Sequence, residues 1–302
     1  AVTASLTRLD GIEKESFWAE KEYLGSGGFS DIYIVDDAGT KKILKVLKMF
    51  EMEISCGDFQ QEVVTMSSIK HNHIVSFSSW SMSPCTIMME YMKEGDLRTF
   101  LVENGVPSLE FQLRIAVHIA SALAYLHSQH PLIVHLDLKS LNVLLVENEE
   151  LGERVSAKIS DPFHPAIVGK VSDFGNAQRV TMTDHVVLPE IAGNCGWTAP
   201  EILATSKAYP ASDVYSFGMV VWELMTAKLP FFDHQWMSQL EGDIINGLRP
   251  TIPPSSPPLL THLINETWEE KPQKRPSFDD ILEKLDVISK KMINFGVDEL
   301  TL

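Results

Sequence analysis

The stretch His135-Leu136-Asp137-Leu138-Lys139-Ser140-Leu141-Asn142 offers three chemical groups in close succession. They are a carboxylate able to accept a hydroxyl proton, a lysine able to steady a transferring phosphate, and an amide oxygen able to ligate a hard cation. A second carboxylate follows in Val171-Ser172-Asp173-Phe174-Gly175, beside an aromatic ring and a glycine hinge. Asp and Asn oxygens combined with phosphate oxygens suit Mg²⁺, which keeps part of its water shell and seldom uses an all-protein cage. Each string alone has a bland alternative, a loop Asp capping backbone amides. Their order and spacing favour the chemistry.

Upstream, Leu24-Gly25-Ser26-Gly27-Gly28-Phe29-Ser30-Asp31-Ile32 places glycines on a strand–turn–strand, where backbone amides can approach phosphate oxygens without an intervening Cβ. A glycine-rich hairpin is more often only a turn. A dinucleotide-binding loop requires its glycines to open a helix; β-like residues follow here, which excludes it. Lys45, inside Ile43-Leu44-Lys45-Val46-Leu47-Lys48, is a cation in an apolar strand. It is either an edge-strand gatekeeper or a buried charge that requires an anionic partner. Glu62 is the candidate partner.

The elements that must hold these residues follow from periodicity. Residues 23–49 read as strands, with a turn at Asp36-Asp37-Ala38-Gly39. Phe59, Val63, Met66 and Ile69 fall at helical spacing, and a strand pair is expected over Val75–Trp80 and Thr86–Tyr91. Ala116, Ile119, Ala120, Leu123 and Leu126 predict a long helix through about Ser128. Beyond Asp213 most segments read as helices. The pattern is α+β, a small β-rich part followed by a larger helical one.

Composition bounds the rest. The 302 residues are 44% hydrophobic and 22% charged, which excludes collagen-like, mucin-like and wholly disordered chains. The length suggests one large domain or two lobes. With 25 Lys+Arg against 41 Asp+Glu the net charge is −16, so nucleic acid and anionic membranes are poor partners. Any bound phosphate must be held locally. Cys56, Cys85 and Cys195 form no CxxC pair, and a reduced, cytoplasmic setting is expected. No run of eighteen apolar residues exists; the richest stretch, Val214–Met225, is broken by Ser216, Gly218 and Glu223. No signal peptide is visible near the start, and the first residue is Ala1, so an excised piece of a larger parent chain is expected.

With these motifs in order, the chain resembles a eukaryotic protein kinase domain. Ala199-Pro200-Glu201, Ser212-Asp213-Val214-Tyr215-Ser216-Phe217-Gly218 and Lys274-Arg275-Pro276 extend the resemblance over residues 18–288. Gly196-Trp197-Thr198-Ala199-Pro200-Glu201 and the stretch Gly247–Pro253 look most like the tyrosine-kinase-like group, Roco and mixed-lineage kinases among them. The resemblance implies a bilobal kinase fold with an N-lobe over about 18–92 and a C-lobe over about 93–288. A leader (1–17) and a tail (289–302) flank it. It implies ATP and Mg²⁺ as cofactors and a protein substrate with a Ser/Thr acceptor. Lys139, two residues after Asp137, matches the Ser/Thr pattern.

Carried over position by position, Gly25, Gly27, Gly28 and the amides near Phe29 cover the ATP phosphates, with Leu24, Ile32, Ile43 and Asp96 among the nucleotide contacts. Lys45 holds the α- and β-phosphates and is oriented by Glu62. Met89 is the gatekeeper, with Glu90–Met92 as the hinge. Asp137 orients the substrate hydroxyl, Lys139 steadies the γ-phosphate, and Asn142 with Asp173 binds Mg²⁺. Glu201 and Arg275 resemble the family's buried ion pair.

The chain also departs from the pattern. Leu136 replaces the arginine that normally pairs with an activation-loop phosphate, so Thr181 and Thr183 are read as solvated loop threonines rather than an on-switch. Ile43 stands where the family has a small alanine, Ser30 replaces the last loop glycine, and Asn194 stands where a threonine is frequent. Asn142 and Asp173 are 31 positions apart, against the roughly dozen that the resemblance implies, with short hairpin loops as the prior; the extra material lies within about 147–169. Asp161 in Lys158-Ile159-Ser160-Asp161 is a rival metal ligand, and Asp173 is preferred because Phe174 and Gly175 complete its triplet. A pseudokinase scaffold is the alternative function; a small-molecule kinase is disfavoured by Ala199-Pro200-Glu201.

Overall fold

The computed structural model describes residues 21–27, 30–48, 52–148, 166–181, 184–189 and 195–295. The chain divides into two compact units, residues 1–93 and 94–302. Gly28, Phe29, Thr183, Asn194, Asp161 and the whole leader fall outside the described residues, as does the Cys56 side chain.

Among the described residues, the first unit is a five-stranded antiparallel sheet with one helix. Strands β1 (Glu22–Ser26), β2 (Ser30–Asp37), β3 (Thr40–Leu47), β4 (Phe77–Met82) and β5 (Cys85–Glu90) lie in the order β1-β2-β3-β5-β4. β3 is therefore central, bonded to β2 on one side and β5 on the other, and the edge-gatekeeper reading of Lys45 is corrected: no edge is there to guard. Alternation along β3 sends Leu44 to one face and Ile43 with Lys45 to the other. Leu44 joins Val35 and Met88 in a buried cluster, with Tyr33 and Val46 packed against it. Helix α1 (Met52–Ser68) buries Phe59, Val63 and Met66 and packs against β4 and β5, and Ile69 just past its end is also buried.

The second unit is built around helices. These are α2 (Leu97–Asn104), α3 (Leu109–His127), α4 (Pro200–Thr205), α5 (Pro210–Thr226), α6 (Met237–Ile245), α7 (Pro258–Thr267) and α8 (Phe278–Phe295). Short strands pair between them: β6 (Leu132–Val134) with β9 (Gln178–Val180), β7 (Val143–Glu147) with β8 (Ile167–Val171), and β10 (Val186–Val187) with β11 (Lys207–Ala208). Thus the ends of the expected insertion zip into a hairpin, Glu147 opposite Ile167. Helix α3 is long and apolar enough to cross a membrane by length and composition, but its apolar stripe is buried here and it packs on α8, β8, α5 and β6.

Helix α5 is buried from Ser212 to Met225, all the way round. It begins with Pro210 at its first turn, where a missing N–H costs nothing. At Gly218 an added Cβ would lie 2.1 Å from Thr267 Oγ1 and 2.7 Å from Trp268 Nε1, so only glycine allows α7 this close. This central helix carries the acceptors that pin the loop described next.

Candidate active site

The candidate residues fall into two groups, one in each unit. In the first, Lys45 Nζ donates to Glu62 Oε1 at 2.7 Å, joining β3 to α1. Both side chains are largely buried, at 15% and 6% exposure, so the carboxylate answers the cost of placing an ammonium in the sheet. Lys48 goes elsewhere: it donates to Ser26 Oγ (2.5 Å) and Gly27 O (2.7 Å) and lies 3.4 Å from Asp31. Ser26 Oγ also donates to Asp31 (2.7 Å), and that hydrogen bond leads in holding the Asp31 carboxyl below its ordinary value. Ser26 and Gly27 are thus tied to β2 and to Lys48 just past β3, with Gly27 N donating to Ser30 O at 2.8 Å. Gly25 sits opposite Ile32 across a bulge, Ile32 opposite Lys45, and Leu24 is exposed.

Ile43 and Met89 face each other across β3 and β5, and both are buried, as is Met92. Glu90 is fixed by Ser76, whose N–H donates to its Oε1 at 2.5 Å while its own N–H donates to Ser76 O at 3.0 Å.

In the second group, Lys139 Nζ donates to both Asp137 oxygens at 2.9 Å. Asn142 Nδ2 donates to Asp137 O (2.7 Å) and Asp137 Oδ2 (3.0 Å). The amide nitrogen is therefore spent inside the loop, and Oδ1 is the atom a cation would meet. Asn142 O accepts from both N and Oγ of Ser172, at 2.9 and 3.0 Å, which ties the first motif to the residue before Asp173. His135 completes the tie: its Nε2 meets Ser172 O at 3.0 Å, its Nδ1 accepts from Asp137 N at 3.3 Å, and its ring lies edge-on to Phe174. Leu136 and Asp173 both adopt left-handed backbone, φ 66° and 64°. Such conformations persist where the surroundings over-determine them.

At Leu136, Asp213 of α5 supplies that constraint. Its Oδ2 accepts from His135 N and meets His127 Nε2, and its Oδ1 accepts from Leu136 N, all at 2.9 Å. Asp96 serves as a helix cap: its carboxylate accepts from Thr99 N (2.8 Å) and Thr99 Oγ1 (2.9 Å) at the start of α2. Thr181 is exposed. Arg275, fully buried, forks onto Glu201 at 2.7 and 2.8 Å and also donates to Ala211 O and Glu269 O.

Residues 19–285 match the family described as protein tyrosine and serine/threonine kinase. The chain belongs to that family. Over 243 residues it is 37% identical to the probable serine/threonine-protein kinase roco8 of Dictyostelium discoideum, covering 78% of this chain and 12% of that protein. It is 32% identical over 283 residues to serine/threonine-protein kinase STY46 of Arabidopsis thaliana, 91% of this chain and 45% of that one. To mitogen-activated protein kinase kinase kinase 10 of Mus musculus it is 29% identical over 282 residues. The relatives are Ser/Thr kinases of the tyrosine-kinase-like group, as the motifs implied. The kinase domain spans about a tenth of the Dictyostelium proteins it matches (8%, 12% and 10% of three of them).

Sequence reasoning did not find the partners of Glu223. This carboxylate, wholly buried in α5, accepts from Ser140 Oγ and Trp197 Nε1, each at 2.7 Å. Burial pushes it up to about 7, against the pull of those two donors. The available signal was an acid inside an apolar helix.

Proposed function

We propose that the kinase domain, from about residue 18 to 288, transfers the γ-phosphate of ATP to Ser/Thr hydroxyls of protein substrates. The observation that carries this reading is the state of Asp137, whose two oxygens are fixed by Lys139 and Asn142 within 3.0 Å. A carboxylate held this way can orient an alcohol and take its proton at Oδ1 or Oδ2, with no side-chain search at the moment of reaction. Lys139 then faces the transferring group with its charge. Lys45, set by Glu62, takes the α- and β-phosphates, and the turn around Gly25 and Gly27 covers them. Ile43, Ile32, Leu24 and Met89 offer apolar contact to the base, with backbone of Glu90–Met92 as its hydrogen-bonding edge and Asp96 nearby in sequence.

Asn142 Oδ1 and the Asp173 carboxylate fit Mg²⁺ in type, being hard oxygen donors. When bound, Mg²⁺ would neutralise phosphate charge. Asp173, followed by Phe174 buried at 0% exposure, is the ligand we favour over Asp161, which lies outside the described residues. A cytoplasmic location and a larger parent chain belong to the same proposal.

The second reading, a scaffold with little phosphoryl transfer, draws on Ile43, whose bulk is buried on the Lys45 face of β3. Radiolabelled ATP with a generic acceptor protein separates the two. Wild type should label the acceptor, and Asp137→Ala should lose roughly 10²–10⁴-fold. Equal and negligible labelling by both, with a Mg²⁺-ATP thermal shift retained, would establish the scaffold; absence of that shift counts against nucleotide binding altogether.

A further inference from the structure

The buried carboxylate of Glu223 lies between two segments far apart in sequence. Its Oε1 accepts from Ser140, the residue after Lys139, and its Oε2 accepts from Trp197 in the turn that leads to Ala199-Pro200-Glu201. Trp197 is held a second time, its carbonyl accepting from Ser216 Oγ at 2.8 Å about two helical turns earlier on α5. Each carboxylate oxygen has one segment to itself. A residue serving only to fill the helix core would be apolar, since burying a carboxylate here is costly enough to shift its proton affinity toward neutrality. The charged group acting on it from another element is Arg98 of α2, whose Nη1 donates to Ala227 O at 3.0 Å.

We propose that Glu223 is a positioning residue that couples the Asp137–Asn142 loop to the Cys195–Thr198 turn, so that the two are set in place together. The arrangement survives protonation. A neutral carboxyl keeps its carbonyl oxygen on the Trp197 N–H and turns its own O–H toward Ser140 Oγ, because a hydroxyl rotor can accept as well as donate. Glutamine imitates that form, with Oε1 accepting from Trp197 and Nε2 donating to Ser140. Methionine has similar length and no polar atom for either segment. Coupling is thereby separable from packing.

The test reads both segments at once. The Asn142 amide donates to Lys139 O at 2.9 Å and the Thr198 amide to Cys195 O at 3.2 Å, so hydrogen exchange at each reports whether its segment stays closed. Glu223→Met should speed exchange at both amides by about tenfold or more, and Glu223→Gln should leave both within about twofold of wild type. Acceleration at one amide alone, or at neither, overturns the proposal. Where the Met variant fails to fold, Trp197→Phe decides: exchange at Asn142 should rise, and an unchanged Asn142 overturns the proposal. The inference rests on the kinase reading only for its activity arm, in which kcat falls about tenfold in Glu223→Met and is held in Glu223→Gln. A wild-type chain without phosphoryl transfer that still shows paired acceleration supports the coupling and sinks only the kinase reading.

Discussion

Glu223, in the middle of α5, and Asp280, in the first turn of α8, each accept two short hydrogen bonds from a serine hydroxyl and an N–H group. Glu223 has Ser140 Oγ and Trp197 Nε1 at 2.7 Å; Asp280 has Ser277 Oγ at 2.6 Å and Ser277 N at 2.9 Å. Yet burial pushes Glu223 up to about 7, while the Ser277 hydroxyl and amide hold Asp280 below its ordinary 3.8. The donors are nearly equivalent, so water makes the difference. Around Asp280 the solvent already stabilises the anion, and the hydrogen bonds add to it. Around Glu223 two neutral donors replace a hydration shell and fall short. A third carboxylate, Glu201, meets a full positive charge instead of neutral donors: Arg275, set bidentate and itself buried.

The largest expected effect removes that charge. Arg275→Ala leaves Glu201 without its cation and strips donors from Ala211 O and Glu269 O. Urea denaturation should show a loss of about 3–5 kcal/mol. Arg275→Lys keeps the charge without the fork and should fall between. A loss below about 1 kcal/mol would mean the pair behaves as a surface one.

Next comes the titration of Glu223. Its folded-state value is raised from 4.5 to about 7, so its stabilising protonation is complete below 4.5 and lost as pH rises toward 7. Glu223→Gln does not titrate. Between pH 4.5 and 7 the wild type should therefore weaken relative to the variant by about 3 kcal/mol, an order-of-magnitude figure from the size of the shift. Parallel curves across that window would show that the carboxylate finds water in the folded state.

These residues were legible in the sequence to different degrees. Lys45 announced itself as a cation in an apolar strand, and Glu62 as an acid in an apolar stripe, because each breaks a local period. What local pattern could not supply was strand order. The central place of β3 depends on pairing with β5, more than forty residues on, and only that pairing removes the edge reading. Glu223 was visible in the same way, as an interruption of Val214–Met225, but its partners lie 83 and 26 residues away. Asp213 was legible as part of a motif, while its three contacts to His127, His135 and Leu136 were not. The Lys48 clamp was missed for a different reason. Beyond the end of a strand, side-chain direction no longer follows the period of two, so sequence offers no face on which to place it.

The smallest expected effect concerns Asp280 and completes the comparison. Ser277 and Asp280 cap α8 reciprocally, Asp280 N donating to Ser277 Oγ at 3.2 Å while the Asp280 carboxylate accepts from Ser277. Ser277→Ala should cost about 1 kcal/mol near neutrality, the usual worth of such a cap. Its pH signature runs opposite to that of Glu223. A lowered folded-state value means stability present above 3.8 and lost as pH falls further, so wild type and Ser277→Ala should converge in acid and stay apart above it. Denaturation curves at pH 3 and pH 7 decide the point. A gap between the two proteins that is the same at both pH values would place the Ser277 contribution in the backbone cap alone, and the contrast between wet and dry carboxylates would then rest on Glu223 by itself.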